Sequence, residues 1–363
     1  MPPPAAPSTS PAASRRRDAS LARRLESWFL LNRRDLPWRP ADPGAPRDPY
    51  AVMVSELMLQ QTQVSRVSER FVSFMDRFPN VRSLARADEE DVLAEWSGLG
   101  YYRRARLLHA AARAVVDEHD ARMPTDPDQL RRLPGVGRYT AGAIASLAFG
   151  VRAPIVDGNV ARVLLRIDGR DTSPDDPKTV SWVWSRSADL VERAESPAVF
   201  NEALMELGAT VCTPRSPACA ACPLRASCRA RAEGRQEEIP PPKKQAKRRE
   251  LFCDALRVED ARGRLLVERR GAGGLWAGLW QAPTLERDDR HCRPAELRRA
   301  LALDRAQRLA EFTHQTTHRI VRFRVWIGTL AGDSPPTRGE WKSPPSVARL
   351  ALSSPQRRIL LGE

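Results

Sequence analysis

The stretch LPGVGRYTAGAI, Leu133–Ile144, decides the fold of the first part of this chain. Gly135 and Gly137 flank an apolar residue, so the backbone can turn tightly with a positive φ angle between two helices. The apolar run Ala141–Phe149 predicts that the second helix follows at once, with its first N–H groups free to bind a phosphate. The pattern therefore indicates a helix–hairpin–helix loop on a nucleic acid backbone, and an ordinary glycine-capped turn is the alternative.

Composition favours a basic protein of two domains. The 363 residues include 59 Lys and Arg against 45 Asp and Glu, which gives a net charge of +14 and suits a polyanionic partner. A proteome that is simply rich in arginine and alanine is the alternative explanation. The length favours two domains, and no apolar stretch is long enough to span a membrane. We therefore expect a soluble protein that does not associate with membranes.

The pattern along the chain predicts a helical domain followed by a smaller α+β domain. Residues 1–20, rich in Pro, Ala, Ser and Arg, predict a disordered tail. Helical periodicity runs through residues 21–230, and the proline triplet and basic run in residues 231–250 predict a linker. Residues 251–363 are predicted to form the α+β domain. Its expected strands are Leu251–Val258, Leu265–Arg269 and Val321–Ile327, and its expected helices lie near Pro294–Leu303 and Ser346–Leu361.

Four cysteines lie close together after the helical segment Val199–Val211. They are Cys212, Cys219, Cys222 and Cys228. Four thiolates suit either tetrahedral zinc or a four-iron cluster, and the ligand type alone does not choose between them. Zinc ligands usually come as two well-separated pairs, whereas this spacing is compressed and uneven, which favours iron–sulfur. The remaining cysteines, Cys253 and Cys292, are interpreted as packing residues.

Two carboxylates are candidates for acid–base chemistry. Glu56 lies in the largely apolar run Val52–Leu59, which predicts a desolvated side chain whose pKa is raised, as a general acid requires. Asp157 precedes another apolar helix, and the helix dipole with its free N–H groups is expected to keep it ionised. A surface glutamate and a plain helix cap are the alternatives. Together, a proton donor and a fixed anion suit the breaking of a glycosidic bond through an oxocarbenium-like state.

Five motifs in a fixed order carry a resemblance to a known family. They are SELMLQQTQV (Ser55–Val64), GLGYYRRAR (Gly98–Arg106), LPGVGRYTAGAI (Leu133–Ile144), VDGNVARVL (Val156–Leu164) and the four-cysteine loop. In this combination residues 21–230 resemble the MutY family of adenine DNA glycosylases, within the helix–hairpin–helix base-excision superfamily. The resemblance implies an all-α helix–hairpin–helix glycosylase domain with an iron–sulfur cluster loop at 212–228. It also implies that residues 251–363 form a Nudix-like domain that recognises the lesion.

The resemblance implies roles for individual residues. Glu56 matches the family's catalytic acid, and Asp157 matches the carboxylate that stabilises the anomeric carbon. Tyr139 and Asn159 match residues that orient this pair. The implied [4Fe–4S] cluster is held by Cys212, Cys219, Cys222 and Cys228. The implied DNA-binding residues are Gln61 and Tyr101, which insert into the base stack, the hairpin glycines Gly135 and Gly137, and Arg39 of the LPWR motif near the adenine pocket.

Position 139 and the second domain refine the expected activity. Strand-cutting relatives of the endonuclease III branch have a lysine where this chain has Tyr139, and a tyrosine cannot form their Schiff base, which implies a monofunctional glycosylase. The glycine-rich segment Gly271–Gln281 is not followed by the acidic helix of Nudix hydrolases. Alignment with the family's Phe-Ser-His lesion loop places Thr316, Thr317 and His318 there, so the aromatic member is replaced by Thr316.

The expected substrate is double-stranded DNA that carries adenine opposite 8-oxoguanine or guanine, processed in base excision repair. We expect a monomer in the cytoplasm, associated with the nucleoid. Two other hypotheses are an endonuclease III-type pyrimidine glycosylase, which Tyr139 argues against, and a DNA-binding protein without catalysis. The retention of Glu56, Asp157 and Asn159 argues against the second.

Overall fold

The computed structural model describes residues 11–242, 248–271, 273–330 and 338–363. The chain divides into two compact units, Met1–Arg86 with Leu107–Lys243, and Ala87–Arg106 with Lys244–Glu363. Among the described residues, no helix has both the length and the apolar character needed to cross a membrane.

The first part of the chain is helical, as the sequence predicts. Its helices are α1 (Pro11–Asn32), α2 (Pro49–Leu59), α3 (Val64–Arg77), α4 (Val81–Arg86), α5 (Glu89–Glu95), α6 (Arg103–Glu118), α7 (Pro127–Leu130), α8 (Arg138–Phe149), α9 (Gly158–Ile167), α10 (Pro177–Val191), α11 (Pro197–Thr210) and α12 (Arg229–Ala232). Two short 3₁₀ turns, Cys219–Ala221 and Arg225–Ser227, lie in the cysteine loop.

Helix α11 is the centre of the helical unit. It packs against α1, α8 and α9, and α2 packs in turn against α8. Buried apolar side chains at helical spacing, such as Leu21, Leu25 and Phe29 of α1 with Phe200 and Leu204 of α11, form this core. Because α2, the start of α8 and the start of α9 gather around α11, the polar residues on these elements face one pocket.

The N-terminal tail differs from the prediction. Helix α1 begins at Pro11, so residues 11–20 are helical, while residues 1–10 lie outside the described part of the chain. Asp18 is buried and pairs with Arg186 at 2.7 Å, and Arg186 also pairs with Asp168 at 2.7 Å. These partners lie about 150 residues away in sequence, so the composition of the tail alone does not reveal them.

The predicted linker also differs from the structure in its first half. Ile239 is fully buried in the core of the helical unit, and its carbonyl oxygen accepts a hydrogen bond from Arg166 Nε at 2.7 Å. Arg235 pairs with Asp171 of the same unit. The segment from Arg231 to Ile239 is therefore part of the helical unit, and only a shorter stretch before Arg249 can act as a connection.

The second unit contains two sheets and three helices in its C-terminal portion. The strands are β1 (Arg249–Arg257), β2 (Leu265–Arg269), β3 (Trp280–Gln281), β4 (Thr284–Arg287), β5 (Leu303–Gln315), β6 (Arg319–Leu330) and β7 (Glu340–Lys342), and the helices are α13 (Pro294–Leu301), α14 (Pro344–Ala348) and α15 (Ser354–Leu361). One sheet has the order β4-β1-β6-β5 and the other β3-β2-β7. Strands β1 and β6 run parallel, and the other pairs are antiparallel.

Side-chain alternation on β1 and β6 separates two cores. Cys253 and Phe323, opposite each other in the register, face the core that includes residues of α14 and α15. Leu256 and Trp326, three residues further along each strand and so on the opposite face, pack in the core with α13. Cys253 and Cys292 are both buried, as expected for packing residues.

The sequence predicts β2 with the observed bounds but misses β5. Most side chains of β5 are exposed because it is the edge strand of its sheet, so it lacks the apolar alternation that identifies a half-buried strand. The sequence also places residues 87–106 in the helical domain, whereas they cluster with the C-terminal unit.

We expect Ile239→Ala to lower the free energy of unfolding by about 2–5 kcal/mol, because it removes buried methylene groups and leaves a cavity. Urea unfolding followed by tryptophan fluorescence measures this change. Glu238→Ala, at the exposed neighbouring position, is the matched control and should change stability by less than about 0.5 kcal/mol. An equally small effect of both variants would show that the segment does not belong to the helical unit.

Candidate active site

The predicted hairpin lies between α7 and α8. Gly135 has a φ angle of 75°, and a Cβ there would come within 2.7 Å of the Cβ of Leu107, so both backbone angle and space require glycine. Leu133 and Val136 are buried and anchor the turn. Gly137 is the exposed N-cap of α8 and provides no side-chain hydrogen bond, so the helix presents its first N–H groups as an anion site requires.

Glu56 lies on the buried face of α2 and lines the pocket around α11. The pKa of its carboxyl group is raised from 4.5 to about 7, mainly by burial and in smaller part by the nearby carboxylates Glu202 and Asp157. A hydrogen bond with Tyr139 and the charge of Arg47 oppose this rise. The Glu56 Oε2 atom is buried and has no hydrogen-bond partner among the described residues.

Asp157 is the N-cap of α9. Its Oδ1 atom accepts a hydrogen bond from the Val160 N–H at 2.7 Å, and its Oδ2 atom accepts one from Asn159 Nδ2 at 2.9 Å. Burial nevertheless raises the pKa of Asp157, and these hydrogen bonds only oppose the rise. The expectation of opposite pKa shifts for the two carboxyls is therefore wrong. What distinguishes them is hydrogen bonding, since Asp157 accepts two bonds and Glu56 Oε2 accepts none.

Tyr139 and Asn159 both lie beside the two carboxyls. Tyr139, in the first turn of α8, is half-buried near Glu56 and Asp157, and desolvation holds the pKa of its phenol well above 10, so the ring stays neutral. Asn159 Oδ1 accepts a hydrogen bond from Arg162 Nη2 at 2.9 Å, and the same nitrogen donates to Gly208 O at 2.8 Å. A Cβ at Gly208 would lie 2.6 Å from the Asn159 Cβ, so glycine permits this close approach of α11.

A chain of alternating charges lines the same pocket. Arg34 and Arg39 both bind Glu206, Arg39 also binds Glu202 at 2.9 Å, and Glu202 pairs with buried Arg47. Arg39 of the LPWR motif therefore lies in the pocket. The other four residues were not among the candidate site residues. The spacing of Glu202 and Glu206, four apart on an otherwise apolar helix, is the signal that could have identified them.

Gln61 lies at the rim of the pocket. It follows α2 directly, is exposed, and has a φ angle of 55°. Gln60 beside it donates from Nε2 to the Thr140 hydroxyl at 3.4 Å, which ties the end of α2 to the start of α8. The structure thus brings Gln61 together with the hairpin glycines at one pocket.

The cysteine loop forms a separate cavity in the helical unit. Its four half-buried cysteines are Cys212, Cys219, Cys222 and Cys228. Burial raises the pKa of Cys222 to about 11, so a cation is needed to stabilise its thiolate. Arg166 supplies positive charge, with Nη1 at 3.3 Å from Cys212 Sγ.

Tyr101 and the predicted lesion loop meet in the second unit. Residues Thr316–His318 connect β5 to β6, and we refer to them as the β5–β6 turn. Thr317 and His318 are exposed, and Thr317 Oγ1 shares a hydrogen bond with the Tyr101 hydroxyl. Thr316 closes the turn, because its Oγ1 accepts a hydrogen bond from the Arg319 N–H at 3.0 Å.

The glycine-rich segment of the second unit leads into strands. Residue 272 of this segment lies outside the described residues. Gly278 is followed closely by β3 and β4, so the described residues Gly278–Arg287 contain no acidic helix.

Three family descriptions match separate parts of the chain. Residues 54–186 match the HhH-GPD superfamily of base excision DNA repair proteins, residues 212–228 match the iron–sulfur binding domain of endonuclease III, and residues 255–362 match the NUDIX domain. A thermostable thymine-DNA glycosylase has a similar fold, with a TM-score of 0.54 and 26% identity over 61% of this chain and 99% of that chain. The chain is thus a helix–hairpin–helix base excision repair protein with a [4Fe–4S] cluster as cofactor and a Nudix-like second domain.

Two similar proteins identify the family more narrowly. The human adenine DNA glycosylase is 35% identical over 92% of this chain and 72% of its own length. The adenine DNA glycosylase of Mycolicibacterium smegmatis is 43% identical over 58% of this chain and 69% of its own length. This chain belongs to the adenine DNA glycosylase family, whose members are hydrolases of base excision repair.

We expect Glu56→Gln to be more stable than the parent at pH 8, by on the order of 1–3 kcal/mol. The folded-state pKa of Glu56 is about 7, above the ordinary value of 4.5. The folded state therefore binds a proton that the unfolded state releases between these values, and the parent loses stability as the pH rises through this window. Glutamine does not titrate.

Urea unfolding at pH 8 and pH 5 measures this effect, and the advantage of Glu56→Gln should shrink at pH 5. Glu69→Gln, at an exposed position of α3, is the control and should show no pH-dependent gain. A constant difference between Glu56→Gln and the parent at both pH values would contradict the raised pKa.

Proposed function

We propose that this chain hydrolyses the N-glycosidic bond of adenine opposite 8-oxoguanine or guanine in double-stranded DNA and leaves the strand uncut. The observation that carries the proposal is the contrast between two carboxyls at one pocket. Glu56 is protonatable near neutral pH and its Oε2 is unpartnered, whereas Asp157 is fixed by two hydrogen bonds. These properties suit a general acid and a fixed anion, respectively.

In the proposed reaction, Glu56 donates one proton and later regains one from water. Glu56 gives its proton to N7 of adenine, and the glycosidic bond breaks with its electron pair leaving on the base. Asp157 stabilises the positive charge on the sugar, and Asn159 keeps its carboxylate oriented. A water then attacks the anomeric carbon and returns its proton to Glu56. Adenine leaves, and the sugar gains a hydroxyl group.

Tyr139 supports a glycosylase that does not cut the strand. It stands in the first turn of α8, facing Glu56, where a strand-cutting relative has an amine. Its phenol has no amine nitrogen, so it cannot form a Schiff base with the sugar. This argues against an endonuclease III-type activity.

DNA binding is proposed to use both units. The hairpin residues Gly135 and Gly137 offer backbone N–H groups to a phosphate, and such contacts ignore sequence. Gln61 at the pocket rim and exposed Tyr101 are proposed to fill the stack when adenine flips out, a movement that the chemistry requires. Arg39 lines the pocket for the flipped base. A monomeric state and a cytoplasmic, nucleoid-associated location remain predictions.

The cluster ligands are proposed to be Cys212, Cys219, Cys222 and Cys228, which line one cavity. When bound, the cluster cross-links the loop and lends it structure. Three of these cysteines pack against the core that holds α9 and α11, so the loop stabilises the helices that position Asp157 and Asn159.

Single-turnover excision of adenine tests the chemistry. On a duplex with 8-oxoguanine opposite adenine, Glu56→Gln should lower the rate at least a hundredfold, since general acid catalysis contributes roughly 10²–10⁴. Asp157→Asn should be similarly slow because the fixed charge is lost. Glu69→Gln is the matched control, and its rate should equal that of the parent. A product strand that breaks only after alkali treatment is expected, and breakage without alkali would exclude the monofunctional assignment.

His318→Ala tests lesion reading by the second unit. The exposed imidazole in the β5–β6 turn is proposed to bond the edge of 8-oxoguanine, which differs from guanine by an oxygen at C8 and a proton at N7. Loss of that bond should reduce the ratio of excision rates on the two mispairs roughly five- to hundredfold. His119→Ala in the helical unit is the control. If His318→Ala retained the parent's ratio at matched salt, His318 would not be a reader.

A further inference from the structure

The segment Ser97–Tyr102 is fastened to the C-terminal part of the second unit at one backbone atom. The Leu352 carbonyl oxygen accepts a hydrogen bond from the Tyr102 hydroxyl at 2.7 Å and another from the Ser97 hydroxyl at 3.2 Å. All three residues are buried, with exposed fractions of 6% for Tyr102, 3% for Ser97 and 0% for Leu352. The carbonyl oxygen has two lone pairs, so the two donors together satisfy it completely.

The acceptor is itself held rigidly. Leu352 forms a parallel bridge with Trp280, whose N–H donates to Ala351 O at 2.9 Å. Leu352 and Phe323 of β6 belong to the same buried cluster, and Phe312 of β5 stacks on Phe323 with ring centroids 5.0 Å apart. The core that fixes the Leu352 carbonyl therefore also fixes the two strands that carry the β5–β6 turn.

The backbone around Tyr101, in contrast, is not rigid by itself. The φ angle of Tyr101 is 47°, and Gly98 and Gly100 before it have φ angles of 92° and 69°. The left-handed region is unfavourable for a tyrosine, so the surrounding contacts must hold it there. Arg104 contributes by donating to the carbonyls of Leu99 and Gly100. The side chain of the next residue, Tyr102, is the one that reaches the C-terminal core.

We infer that Ser97 and Tyr102 are positioning residues for mispair recognition, because their shared hydrogen bonds to the Leu352 carbonyl hold Tyr101 in register with Thr317 of the β5–β6 turn. The inference rests on the proposed function, in which this turn reads the base opposite adenine. The hydrogen bond between the Tyr101 hydroxyl and Thr317 forms only if both sides stand at a fixed distance. The Leu352 anchor sets that distance from the Tyr101 side.

The anchor should affect discrimination between mispairs more than the chemical step. Glu56 and Asp157 belong to the other unit, whereas Ser97, Tyr102 and Leu352 belong to the second. A loosened anchor should therefore slow excision opposite 8-oxoguanine, where the turn makes its specific contacts, more than excision opposite guanine.

The test uses the full-length protein and single-turnover excision on both mispairs. Tyr102→Phe should lower the ratio of rates, 8-oxoguanine to guanine, by about two- to tenfold, which corresponds to one net hydrogen bond. Ser97→Ala should lower it less, and the double variant should lower it most. Tyr50→Phe is the matched control, because the Tyr50 hydroxyl also donates to a buried backbone carbonyl, Phe78 O at 2.8 Å, but in the helical unit. Its ratio should stay within about twofold of the parent's, on the same scale.

A double-mutant cycle separates positioning from loss of stability. In a Thr317→Val background the contact with Tyr101 is already lost, so Tyr102→Phe should cause no further fall in the ratio. An unchanged ratio in the Ser97→Ala/Tyr102→Phe double variant, or an effect of Tyr102→Phe that adds fully to that of Thr317→Val, would overturn the inference. If Tyr102→Phe does not fold, Ser97→Ala in the same cycle decides. A parent protein without any preference for 8-oxoguanine would instead overturn the proposed specificity, and this inference with it.

Discussion

The burial of Glu56 without an ion pair is the constraint on which the active site depends. A buried carboxylate without an ion pair costs several kcal/mol, so the pKa of Glu56 is raised to about 7 and the folded protein keeps this proton to a higher pH than the unfolded chain does. Two arginines of the pocket form their ion pairs with other carboxylates instead of Glu56. Arg47 pairs with Glu202, and Arg39 pairs with Glu202 and Glu206. Had one of them bound Glu56 directly, the acid would have lost its proton before adenine arrived. Pairing the other charges therefore preserves the proton on Glu56.

Close backbone approaches place the second carboxyl in this pocket. Asp157 caps α9, and caps of this kind are common, but Gly208 lets α11 come so near that Asn159 is fixed against it. Arg162 then joins Asn159, Gly208 and the Cys212 carbonyl through its guanidinium N–H groups. The cysteine loop and the catalytic cap are thus connected by one arginine. A cluster that stiffens the loop stabilises the orientation of Asp157 without entering the chemistry.

What the sequence predicts correctly is mostly local. The hairpin, the cap at Asp157 and the cysteine loop depend on residues a few positions apart, and each has the predicted local form. Features that depend on distant partners escape such reasoning. Helix α1 starts early because of Asp18 and Arg186, and the charge network unites Arg47 with Glu202, about 150 residues later. Strand β5 is missed in the sequence for a different reason, since an exposed edge strand has no apolar alternation. The pKa of Asp157 depends on how far its side chain is removed from solvent, which a cap motif does not reveal.

In the proposed function, the division of the chain separates the chemical step from discrimination between mispairs. The acid, the fixed carboxylate and Tyr139 belong to one unit, whereas Tyr101 and the β5–β6 turn belong to the other, although Tyr101 precedes Tyr139 by fewer than forty residues in sequence. Adenine is common to all the proposed substrates, so the groups that protonate it need not contact the opposite base. The opposite base differs by one oxygen and one proton, so only a rigid set of hydrogen bonds can distinguish it. Residues 87–106 belong to the second unit, so Tyr101, which is proposed to enter the base stack, shares a unit with the β5–β6 turn. Because that contact and the turn share one core, substitutions there can alter which mispair is favoured while the proton affinity of Glu56 stays the same.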